Sequence, residues 1–150
     1  MSVDDRLREL GIELPDPVNP AANYVRYRQT GNLLFISGTG PTDASPKGKV
    51  GAEVSVDDAY QAAREVALQI LSTARQALGG DLDRITGTVK LLGMVNSAPD
   101  FGEQPKVING CSDTLVEVLG EKGRHTRSAV GFAALPNNIC VEIEATFEVE

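Results

Sequence analysis

The chain has one histidine, two cysteines and no unbroken apolar run near the roughly 20 residues that a helical membrane span requires. Cys111 and Cys140 show neither metal-ligand spacing nor a Cys-x-x-Cys pair, so no thiolate metal centre and no dithiol motif is on offer. Positive charge is scarce as well. Fourteen Lys and Arg face 21 Asp and Glu, and the net charge of −7 opposes general nucleic-acid binding, which draws its affinity largely from cations on phosphate. The densest basic cluster, Arg124-His125-Thr126-Arg127, is short, and its loop histidine reads as solvated. A small anionic ligand needs only one or two cations and is compatible with this balance. Residues 1–6 lack the basic segment and apolar core of a secretion signal. The expectation is a cytoplasmic protein with neither membrane nor nucleic acid as a partner.

What is present suits one domain over residues 1–150. With 41% hydrophobic and 23% charged residues, a chain of this length buries roughly two-thirds of its unfolded surface. Val3, Leu7 and Leu10 at helical spacing, followed by Gly11, predict a short amphipathic helix. Pro15, Pro17 and Pro20 make the rest of an extension over residues 1–22 extended and irregular. Residues 23–38 predict a hairpin turning at Thr30-Gly31-Asn32, with Arg26 and Arg28 on a solvated rim. A loop over residues 39–54 leads to Ser55, which can cap a helix whose Asp57 and Asp58 suit its positive end. Ala59, Ala63, Val66, Ala67, Ile70, Leu71, Ala74 and Leu78 form its apolar stripe. Residues 85–95 are strand-like, residues 96–102 a loop, and residues 106–119 a second helix with Cys111 inward. The order β-β-α-β-α-β-β gives a two-layer α+β fold, a mixed sheet with two helices on one face.

The last 25 residues carry the chemistry. Ile139, Val141, Ile143, Ala145, Phe147 and Val149 alternate with Cys140, Glu142, Glu144, Thr146 and Glu148, which predicts a strand with one face on a core. With residues 126–134 as its partner and a turn at Leu135-Pro136-Asn137-Asn138, this reads as a closing hairpin that brings Arg127 across from Glu142. A guanidinium is a rigid fork that matches a carboxylate, and a carboxyl beside a bound ligand can place a water or pass a proton. The same pattern is also that of an ordinary cross-strand salt bridge. A sheet face bearing Arg127, Glu142, Glu144 and Glu148 beside apolar positions suits burial against other copies of the sheet, with clefts between them.

Arg127-Ser128-Ala129-Val130, Ala134-Leu135-Pro136 and Val141-Glu142-Ile143-Glu144-Ala145 closely resemble the C-terminal signature of the Rid/YjgF family. These are the reactive-intermediate (imine/enamine) deaminases long described as endoribonuclease L-PSP or translation inhibitors. Tyr24, Gly31-Asn32 and Ile36-Ser37-Gly38 look like the family's first hairpin, and Asn109 falls where the family has an asparagine. The resemblance implies a chorismate-mutase-like fold and a homotrimer with clefts between subunits. It implies that Arg127 holds the carboxylate of a 2-imino or 2-enamino acid and that Glu142 positions or activates water. Tyr24 would line the cleft, Ser37 and Asn109 would shape it, and Ala129, where the family often has cysteine, would offer mainly its backbone. The products would be a 2-keto acid and ammonia, with no metal or organic cofactor. The chain departs from the best-studied deaminases at Ala22-Asn23-Tyr24-Val25, where they carry Gly-Pro-Tyr-Ser, and in its N-terminal extension. A non-catalytic carboxylate binder of the same fold is the alternative, with ribonuclease activity a third.

Overall fold

In the computed structural model, which describes residues 1–20 and 22–150, the chain order places eight principal elements. They are α1 (Val3–Leu10), β1 (Tyr27–Thr30), β2 (Leu33–Thr39), α2 (Val56–Ala77), β3 (Ile85–Asn96), α3 (Gln104–Leu119), β4 (Thr126–Phe132) and β5 (Val141–Val149). The α+β reading and the element order hold.

Side-chain caps start α1 and α2, whereas α3 starts at Gln104, two residues before the expected 106, with no side-chain cap. Ser2 and Asp5 cap α1 reciprocally, and Gly11 ends it at φ 68°. The Ser55 hydroxyl accepts from the Asp58 amide at 3.1 Å and starts α2. The alanine stripe of α2 lets α3 come close: a Cβ on Gly110 would lie 2.0 Å from the Tyr60 carbonyl oxygen, so backbone meets backbone there. The N-terminal extension docks rather than trails. The Arg6 Nε–H donates to the Glu117 carbonyl at 2.9 Å, and the Ser72 hydroxyl bonds the Pro15 carbonyl. Residue 21 of that extension lies outside the described residues.

The closing hairpin is not formed. The sheet order is β1-β2-β5-β3-β4, with β4 parallel to β3 and β5 antiparallel to both β3 and β2. The reason lies in α3, whose crossover returns the chain to lay β4 parallel to β3. Residues 133–140 then carry the chain over the end of β3 into the gap between β3 and β2. Asn96 anchors that passage, its side-chain amide donating to Asn138 Oδ1 and to the Ile139 carbonyl, each at 3.1 Å. The predicted turn, Pro136–Asn138, reverses through Asn137 and Asn138, both at positive φ.

The alternation of β5 is borne out. Val141, Ile143, Ala145, Phe147 and Val149 are buried under the helices, and Glu144 and Glu148 are exposed on the open face. Cys140, grouped with Glu142 by alternation, precedes the strand and is fully buried. The open face also shows Phe35, Val130 and Phe132, each 40% exposed or more.

Candidate functional site

Arg127 and Glu142 occupy different strands and opposite faces. Arg127 is level with Leu91 on β3, and Leu91 with Ala145 on β5, whereas Glu142 pairs with Met94. Two strand spacings sideways and three residues along put their Cα atoms roughly 14 Å apart. The expected cross-strand pair is therefore absent, and Arg127 does not share the open face with the glutamates.

Arg127 instead turns toward α3. Its Nη1 donates to Ser112 Oγ at 3.0 Å and its Nη2 to the Pro105 carbonyl at 3.3 Å. These use two of the five guanidinium donors. The ion pairs among the described residues lie elsewhere, on the surface, and none includes Arg127. Half-buried Asn109 lies one helical turn from Pro105 and three residues before Ser112, on the same side of α3. Ala129, half-buried against the core, is the next residue of β4 on the side of Arg127. These residues form one half-site. Beneath it Cys111 is fully buried, and desolvation pushes its thiol up to about 12, so it is inert.

Glu142 belongs to a second half-site at the bulge of β2. Ile36 faces Ala145 while Thr39 faces Ile143, so β2 carries one residue more than β5 there. The Glu142 carboxylate rests on the backbone of the bulge: a Cβ on Gly38 would lie 2.4 Å from its Oε2. Burial, and then the Glu144 charge, raise the Glu142 carboxyl above its ordinary value, against a pull from Arg26. Ser37 donates its hydroxyl to the Val25 carbonyl at 2.6 Å, and Tyr24 is 43% exposed. Glu142, Ser37 and Tyr24 thus gather at one end of the β2–β5 pair, while Arg127, Asn109 and Ala129 gather at the β4–α3 edge.

Two residues read as solvated are not. Arg26 is 8% exposed and donates to Thr39 Oγ1 at 2.8 Å, to the Gly38 carbonyl at 3.2 Å and to the Tyr24 hydroxyl at 3.4 Å. His125 is half-buried, with both ring nitrogens in hydrogen bonds. Strand parity and loop position carry no signal for either, since both depend on what packs over them.

The layering and the two half-sites define a two-layer α+β protein of the chorismate-mutase-like fold, with an unneutralised arginine at one sheet edge. Residues 4–146 match the family model described as "YjgF/chorismate_mutase-like, putative endoribonuclease". The chain belongs to the YjgF family. It is 46% identical over 147 residues to Protein TCP17 of Trypanosoma cruzi, covering 95% of this chain and 91% of the relative. It is also 46% identical to the Agrobacterium tumefaciens protein Atu1372, of unknown function, whose crystal structure superposes with a TM-score of 0.91 over 99% of this chain and 92% of that one. RidA from an Antarctic Psychrobacter species is more distant, at 25% identity and a TM-score of 0.60 over 89% of this chain and 94% of that one.

Proposed function

We propose that the protein hydrolyses reactive 2-imino and 2-enamino acids to 2-keto acids and ammonia, in clefts between copies of the chain. The observation that carries this is Arg127, a guanidinium with donors to spare and no carboxylate partner among the described residues, in the family's own signature. Such a fork suits the substrate carboxylate. A protonated imine is already electrophilic, so the remaining work is orientation and a placed water. Glu142, whose carboxyl is shifted toward neutrality by burial, is suited to pass a proton to or from that water.

The two half-sites of one chain face apart, so the cleft needs Arg127 from one copy and Glu142 from another. The exposed Phe35, Val130 and Phe132 support a closed ring, a homotrimer, assembled through the open faces. Tyr24 and Ser37 would line the Glu142 side, and Asn109 and the Ala129 backbone the Arg127 side.

The test generates iminopyruvate-type intermediates in place with an amino-acid oxidase and follows keto-acid release. Wild-type protein should accelerate release over buffer and Arg127→Ala should not; equal acceleration by both would overturn the reading. A second reading, a carboxylate binder without turnover, is favoured by the completeness of the Arg127 half-site without Glu142. It predicts Arg127-dependent binding of 2-ketobutyrate and no acceleration. Ribonuclease activity, suggested by the family's description, is opposed by the net charge of −7.

A further inference from the structure

The lone histidine stands behind the unpaired cation of the Arg127 half-site, and with its ring neutral the distances fix every donor and acceptor. His125 Nδ1 lies 2.6 Å from the Gly123 carbonyl oxygen. Two acceptors cannot face one another at that distance, so Nδ1 carries the proton. In the neutral ring Nε2 is then a bare acceptor. The nearest group to it is the Ser112 hydroxyl at 2.9 Å, which must give up its single proton there. With that proton committed, the oxygen of Ser112 presents lone pairs alone, and Arg127 Nη1 donates to it at 3.0 Å.

We propose that Ser112 and His125 are positioning residues for Arg127: a one-directional hydrogen-bond chain from the guanidinium through Ser112 and His125 to the Gly123 carbonyl aims the cation's unused edge at the anion it binds. The inference rests on the reading of Arg127 as a carboxylate anchor. Its physical point is that the clamp is neutral. An aspartate in place of Ser112 would also hold the guanidinium, but it would neutralise the charge and compete with an external carboxylate. Here α3 supplies a hydroxyl and a backbone carbonyl, at Ser112 and Pro105, on two different nitrogens of the fork, so its plane is set and its charge is left over. The groups around His125 keep it neutral. Desolvation lowers its pKa from 6.5, the Gly123 hydrogen bond opposes this, and the Arg127 charge lowers it further. The Cys111 thiol, which also feels the Arg127 charge, stays protonated.

Because the chain has a single histidine, its ring signals need no assignment. Long-range proton–nitrogen correlation spectra at pH 7 should show a neutral ring protonated at Nδ1, and Ser112→Ala should shift the Nε2 resonance. In parallel, calorimetry with 2-ketobutyrate should find Ser112→Ala and His125→Phe about 10-fold weaker than wild type, the scale of one lost orienting bond to a charged group. His125→Gln, whose amide oxygen can still accept from Ser112, should stay within about 3-fold. A ring protonated at Nε2 overturns the inference. So does wild-type affinity in Ser112→Ala when Arg127→Ala abolishes binding, or an equal loss in the Gln and Phe variants. Undiminished affinity in Arg127→Ala is the distinct result that overturns the anchor itself. Ser112→Ala keeps the test available should His125→Phe not fold.

Discussion

The two half-sites differ in how each charge is held. Arg127 is fixed through neutral groups, a hydroxyl and a carbonyl, and its charge meets no protein counter-ion among the described residues. Glu142 has no hydrogen-bonding side-chain partner among the described residues; it lies against the Gly38 backbone with its carboxyl pushed up by burial and by Glu144. A permanently charged fork suits binding, and a carboxyl whose pKa is raised by burial suits proton traffic. Under the proposed function, the difference gives recognition to the β4–α3 edge and chemistry to the β2–β5 bulge.

The sharpest way to break this division is Arg127→Ala. Affinity for a 2-keto acid should fall at least about 100-fold, the scale of losing a charged anchor, with a melting temperature close to wild type. Next is assembly. Phe132→Glu should leave the core packed but shift sedimentation toward monomer, and turnover should fall with it because the half-sites part. Glu142→Gln should then separate the roles, lowering kcat roughly 100-fold with little change in 2-ketobutyrate affinity. A matching loss of affinity would undo the division.

The same variant has a thermodynamic signature. The Glu142 carboxyl holds its proton to higher pH in the fold than its ordinary 4.5, so the folded state binds more protons across that interval. Its contribution to stability is full below pH 4.5 and fades as pH rises through the folded value. Melting curves across pH 4 to 8 should show wild type losing ground to Glu142→Gln in that direction. The smallest effect is a control outside both half-sites: Ser55→Ala removes the α2 cap, should cost about 1 kcal/mol, and should leave binding unchanged.

Faces were legible in the sequence and neighbours were not. The alternation from Val141 to Val149 states which side chains face the core, and all of that set are buried. Alternation says nothing about which strand lies alongside, since strand pairing is decided by the α3 crossover. Placing Arg127 beside Glu142 followed from assuming the shortest connection. Their chemical identity, a free arginine and a glutamate in a family signature, was readable; their separation on opposite faces was not. Arg26 and His125 were misread for a related reason. A polar side chain in a loop or at a strand start reveals its burial only once the covering elements are known, here the β2 bulge for Arg26 and α3 for His125.

The position of β5 also governs the order in which this architecture can form. The β1–β2 hairpin and the β3-α3-β4 unit each join strands consecutive in the chain, yet neither pairs with the other. Within the sheet β5 joins them, through antiparallel ladders to both sides. Until it is seated, the two pieces expose unpaired edges at the future centre of the sheet, where strand addition by another chain is a hazard. Joining distant segments through a central strand raises contact order and slows folding. Glu142 sits on that strand, so its half-site cannot exist before the two pieces are closed into one sheet.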